Sequence, residues 1–139
     1  MVKEKDKIKV VIIDDEQDGR EVLETLLRRF PQVDLIAVSD GAESGMEAIC
    51  KGNPDLVFLD IKMPRKSGID MARELKKSNL RPMVVFVTAY DKFAIEAIRL
   101  AALDFLLKPV DPDELQQVIE KYQAKHKRVS VHQTSGFKN

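Results

Sequence analysis

Five residues of this chain have side chains that do chemistry, and each stands where an apolar run stops. Asp60 follows Leu56-Val57-Phe58-Leu59, and the pair Asp14-Asp15 follows Ile8-Lys9-Val10-Val11-Ile12-Ile13. Thr88 follows Met83-Val84-Val85-Phe86-Val87, and Lys108 follows Phe105-Leu106-Leu107. Singly, an aspartate after a strand is ordinarily a turn residue. As a set, three carboxylates, a hydroxyl and an ammonium mean something else. Crowded carboxylates raise one another's pKa unless a cation sits among them. A set made only of oxygen ligands, with no His or Cys nearby, suits a hard ion such as Mg²⁺ and not zinc. Mg²⁺ beside a lysine and a hydroxyl suits a phosphoryl group, and an aspartate there can act as nucleophile and carry an aspartyl-phosphate.

That chemistry requires the five residues to meet, so the elements carrying them matter. The runs at residues 8–13, 35–38, 56–59, 83–87 and 105–107 are short, β-branched or continuously apolar, and read as strands. Between them the apolar residues recur at helical spacing. Val22, Leu23, Leu26, Leu27 and Phe30 mark a helix from Gln17 that Pro31 ends. Ala42, Met46, Ile49 and Cys50 mark the next, capped by Gly52-Asn53-Pro54. Ile69, Ala72 and Leu75 follow from about Ser67-Gly68. A fourth helix is expected from about Asp91 to Ala102, and a fifth, carrying Leu115, Val118, Ile119 and Tyr122, from Asp111 or Pro112.

Five strands alternating with five helices, at spacings too long for hairpins, predict an α/β fold: a parallel sheet with helices on both faces. Right-handed crossovers put every strand C-terminus on one edge, where open α/β sheets bind ligands. All five chemical residues then share that edge.

Composition is consistent with one domain. The chain has 139 residues, 44% hydrophobic and 33% charged, with 23 basic against 23 acidic side chains and hence no overall basic footprint for nucleic acid. Cys50, the only cysteine, excludes an intramolecular disulfide and a thiolate zinc cluster. It falls on the apolar stripe of the second helix and is expected as small core filler. No run approaches the ~18 apolar residues that span a bilayer, and no signal-peptide core follows Met1, so the expected place is the cytoplasm, with no membrane contact. Residues 1–7 read as an N-terminal extension, 8–126 as the domain, and 127–139 as a basic linker or disordered tail. His126 and His132 have no partner at metal-ligand spacing and carry no site.

Asp14-Asp15, Asp60 with Met63-Pro64, Thr88-Ala89 and Lys108-Pro109 together resemble the receiver domain of two-component response regulators, over roughly residues 8–124. The resemblance implies a flavodoxin-like (βα)5 doubly wound sheet of strand order 2-1-3-4-5. It implies Asp60 as phosphoacceptor from a sensor histidine kinase. It also implies Mg²⁺ on Asp14, Asp15, Asp60 and the backbone carbonyl of Lys62, and phosphoryl contacts from Lys108 and Thr88. Phe105 would be the aromatic switch residue, with Phe in place of the commoner Tyr, and the Lys108-Pro109 bond would be cis. Tyr90 and Lys62 occupy positions that tune phosphate lifetime in the family. The runs Thr88–Ala97 and Leu103–Pro109 resemble receivers that precede LytTR-type DNA-binding domains. DNA contact is therefore expected only through a C-terminal output domain absent from this chain, with transcription as the controlled process.

The fourth helix is apolar around most of its circumference. One stripe must face the sheet, which leaves Phe93, Ala97 and Leu100, or their neighbours, outside; unless the fifth helix and loops cover them, they are expected as a partner or dimer surface together with the fifth strand and fifth helix. Competing functions are weaker. A phosphatase of the haloacid dehalogenase type needs an acid two positions after its nucleophile, where this chain has Lys62. A flavin or nucleotide module needs a phosphate loop after the first strand, where Asp14-Asp15-Glu16 stands. A receiver-like interaction module that never takes phosphate has no use for the complete acidic set.

Overall fold

The computed structural model describes residues 6–80 and 82–136, except for the side chains of 127–136. In chain order the elements are β1 (Ile8–Ile13), α1 (Gln17–Leu27), β2 (Val33–Ser39), α2 (Ala42–Gly52), β3 (Leu56–Leu59) and α3 (Gly68–Lys77). There follow β4 (Met83–Thr88), a 3₁₀ turn (Asp91–Phe93), α4 (Ala94–Arg99), β5 (Asp104–Leu107) and α5 (Pro112–Gly136). The strands form one parallel sheet of order β2-β1-β3-β4-β5, as the resemblance implies.

Burial follows position in the sheet. All four residues of β3 are buried, and β1 exposes only Lys9, because both strands are covered on two faces. One core layer joins Leu23, Leu26 and Leu27 of α1 with Leu115, Val118, Ile119 and Tyr122 of α5. The other joins Ile49 of α2 with Ile69, Met71, Ala72 and Leu75 of α3 and Ala97 of α4. The helices thus lie on both faces.

Local chemistry fixes the element ends. Ser67 caps α3, its hydroxyl accepting from the Asp70 N–H at 3.1 Å. Asp111 accepts from the Asp113 N–H at 2.8 Å, and Pro112 opens α5, where no donor is lost. Asn53 ends α2 in the left-handed region at φ 46°, a conformation that asparagine tolerates.

Three expectations are corrected. Cys50 is exposed, not core filler, because α2 turns Ile49 to the sheet and Cys50 lies on the flank beside it. The fourth helix is shorter than Asp91–Ala102: it opens as a 3₁₀ turn, and Ala101 leaves it with φ 57°. Its outward face is also different. Ala97 is 2% exposed, and Phe93 and Leu100 pack beside it on the core layer. Those three residues share one stripe, where a small Ala between two large side chains lets the helix approach the sheet. Ile95 and Ile98, at 64% and 77% exposure, face outward instead.

Helix α5 continues past Lys127, where apolar periodicity ends, to Gly136. The segment expected as a basic linker or disordered tail, 127–139, thus has helical backbone as far as Gly136, while its side chains and residues 137–139 lie outside the described residues. Most of the N-terminal extension, residues 1–5, lies there too. Among the described residues no helix is long and apolar enough to cross a membrane.

Candidate functional site

The sheet's C-terminal edge is held level by backbone bonds that continue past the strands. Asp14 N–H donates to the Ser39 carbonyl at 3.0 Å, Asp60 N–H to the Ile13 carbonyl at 2.9 Å, and Lys108 N–H to the Thr88 carbonyl at 2.8 Å. Each of these bonds pins a chemical residue next to a neighbouring strand end.

Asp14, Asp15 and Asp60 each bring a carboxylate oxygen to one place, the three lying within 4.8 Å of one another. Asp14 and Asp60 are buried, at 4% and 5% exposure, while Asp15 opens toward a groove of about 720 Å³ between the start of α2 and the loop after β3. The Lys108 ammonium reaches over this trio, 2.7 Å from Asp14 Oδ2 and 3.4 Å from Asp60 Oδ2. The Lys108-Pro109 bond is cis.

Asp60 is the strained member. Its Oδ1 accepts from the Ile61 N–H at 2.8 Å. Burial, then the charge of Asp14, push its carboxyl up to about 7, against the opposing pull of Lys108. For Lys108, burial works to lower the pKa, but hydrogen bonds to Asp14 and Glu16 and the charges of Asp60 and Asp14 outweigh it and hold the ammonium well above its ordinary value. One cation therefore faces more negative charge than it neutralises. The donor set is oxygen only and has an open side at Asp15. A hard divalent ion such as Mg²⁺ fits that deficit.

Thr88 is fully buried, and its Oγ1 accepts from the Tyr90 N–H at 3.4 Å. Phe105 pairs with Phe86 across β4 and β5 and packs partly buried on the α2–α4 core layer. Lys62 is exposed, and its ammonium stands 4.4 Å over the Tyr90 ring. Asp14, Asp15 and Asp60 are thus in mutual reach, and Lys108 touches Asp14 and Asp60. Thr88 lies at the same edge, Phe105 sits behind it, and Phe93, Ala97 and Leu100 belong to the core.

Three supporting residues escaped the sequence reading. Glu16 holds the Lys108 ammonium at 2.7 Å. Gly68 sits against the Asp60 carbonyl, where a Cβ would collide, while its own N–H donates to the Ile61 carbonyl at 2.8 Å. Arg20 donates to the Asp14 carbonyl at 2.8 Å. Only Glu16 gave a signal, as the third acid of a run, and nothing in the run announced a partner at position 108.

The chain matches the model of the response regulator receiver domain over residues 10–120. It is 41% identical over 115 residues to the sensory transduction protein LytT of Bacillus anthracis, covering 83% of this chain and 47% of that one. It is 38% identical over 124 residues to the transcriptional regulatory protein BtsR of Escherichia coli K12, covering 89% and 52%. It therefore spans about half the length of these relatives, which bear out the likeness to LytTR-type regulators. The response regulatory domain of mrkE from Klebsiella pneumoniae superposes with a TM-score of 0.80 at 26% identity, covering 87% of this chain and 99% of that one. With the same sheet order, the same edge and these relatives, the chain belongs to the response regulator receiver domain family.

Proposed function

We propose that this receiver domain accepts a phosphoryl group on Asp60 from the phosphohistidine of a sensor histidine kinase and relays the change to an output domain or partner. The observation that carries this reading is the buried Asp60 carboxylate, overloaded with negative charge and faced by Lys108. Asp14, Asp15, Asp60 and the Lys62 carbonyl would hold Mg²⁺. When bound, the ion neutralises the carboxylates and the oxygens of the incoming phosphoryl group.

An Asp60 oxygen attacks phosphorus. The P–N bond to the donor imidazole breaks, and its electron pair leaves with the ring nitrogen. Lys108 donates to the phosphoryl oxygens, since it is the cation already in contact with Asp60. Thr88 gives up the Tyr90 N–H and turns its hydroxyl to the phosphoryl group. Phe105, in the strand beside it, follows into the space released. Those new bonds bias a two-state arrangement of the β4–β5 edge. The role is regulatory, with at most self-phosphorylation from small donors and self-hydrolysis.

The readout surface in this reading is the α4–β5–α5 face, where Tyr90, Ile95, Ile98 and Leu107 are exposed and a second copy could dock. Control of transcription would run through a C-terminal DNA-binding output domain, in the cytoplasm. The test is acetyl phosphate followed by intact mass spectrometry. Wild type is expected to gain one phosphoryl mass with Mg²⁺ and none with EDTA, and Asp60→Asn to gain none. Equal labelling of the two proteins overturns the proposal.

A further inference from the structure

Lys108 has three N–H donors and three carboxylates within ion-pair distance: Asp14 at 2.7 Å, Glu16 at 2.7 Å and Asp60 at 3.4 Å. The two shorter contacts lie on the β1–α1 side and the longest is to Asp60. Glu16 makes one of the shorter two, and its placement is unusual. It is the N-cap residue of α1, with extended backbone (φ −93°, ψ 123°), yet it makes no capping bond. Ser, Thr, Asp and Asn cap well because a short side chain reaches the N–H groups of the first turn. Glu16 instead spans the chain to position 108.

We propose that Glu16 is a positioning residue that shares the Lys108 ammonium with Asp14 and Asp60 and keeps part of its hydrogen-bonding capacity, so that a phosphoryl group on Asp60 must compete with it for the lysine. The proposal rests on the phosphoacceptor reading above. Asp14 is buried and committed to the acidic trio, whereas the Glu16 side chain is 64% exposed and can be rehydrated when Lys108 leaves it. Glu16 is therefore the contact that yields. It lowers the affinity of the site for a phosphoryl group by the strength of one partly exposed ion pair, about two- to fivefold.

The experiment measures the affinity of Mg²⁺-beryllofluoride, a mimic of the aspartyl-phosphate, by titration calorimetry on wild type, Glu16→Gln and Glu16→Asp, with melting curves of each. Glu16→Gln is expected to bind about two- to fivefold tighter, and the difference is expected to shrink at about 0.5 M salt, where exposed charges are screened. Glu16→Asp decides between contact and general charge. It keeps the charge but is one methylene too short for Lys108, and it becomes a good N-cap. It should therefore bind as tightly as Glu16→Gln while melting higher than wild type. If Glu16→Asp binds like wild type while Glu16→Gln is tighter, Glu16 acts only through its field and the positioning role is lost. Equal or weaker binding by both variants overturns it as well. If wild type itself shows no Mg²⁺-dependent binding, the phosphoacceptor reading fails first, and this inference falls with it.

Discussion

Replacing Asp60 by Asn should stabilise the metal-free protein at neutral and alkaline pH. The Asp60 carboxyl stands at about 7, raised by burial and by Asp14, against an ordinary value near 3.9. At about 1.36 kcal/mol per tenfold change, ionising it in the folded protein costs at most about 4 kcal/mol. Water reaches this sheet edge and screens the repulsion, so about 2 kcal/mol is the working figure. The sign follows from proton binding. Between about pH 4 and 7 the folded state holds a proton that the unfolded chain has released, so wild-type stability falls as pH rises through that window. Asn keeps an acceptor for the Ile61 N–H and carries no charge. The advantage of Asp60→Asn should thus be near zero at pH 4 and about 2 kcal/mol at pH 8. Mg²⁺ at ten times its Kd should add about 1.4 kcal/mol to wild type, closing most of that gap. The chain has no Trp, so urea unfolding at pH 4, 6 and 8 is best followed by far-ultraviolet circular dichroism, with and without Mg²⁺. A metal-free Asp60→Asn no more stable than wild type at pH 8, or an equal advantage at pH 4, would refute the charge-overload account.

Other perturbations bear on the rest of the site and fold. Lys108→Met should destabilise the metal-free protein by about 2–3 kcal/mol at pH 8, because it leaves Asp14 and Asp60 facing each other without a cation, and by less at pH 5, where Asp60 is protonated. Urea midpoints at the two pH values check this. Gly68→Ala should cost about 3 kcal/mol and weaken Mg²⁺ binding, since its Cβ meets the Asp60 carbonyl; calorimetry with Mg²⁺ and a melt would show both effects or neither. Ile98→Asp should change stability by less than about 0.5 kcal/mol, whereas Ala97→Asp should cost about 3 kcal/mol or more. The reverse order in thermal melts would mean the α4 face has been assigned the wrong way round.

Much of this protein is legible in its residues. The alternation of short apolar runs with helical stripes determines a parallel sheet, because continuous apolar strands must be covered on both faces. Handed crossovers then bring Asp14, Asp15, Asp60, Thr88 and Lys108 to one edge, with no need of coordinates. Pattern fails where it is degenerate or where contacts are remote. The fourth helix is apolar all round, so only packing could decide that Ala97 faces the sheet and Ile98 the solvent. Cys50 lay within one helical step of the true core position, Ile49, and a stripe is too broad to separate adjacent residues. The reach of Glu16 to Lys108 joins residues far apart in the chain, and the crowding that lifts Asp60 depends on ångström separations. The sequence by itself thus determined which chemistry is present and at which edge. Only the tertiary structure decided how the charges balance there, because electrostatic strength depends on distance and burial, and residue order encodes neither.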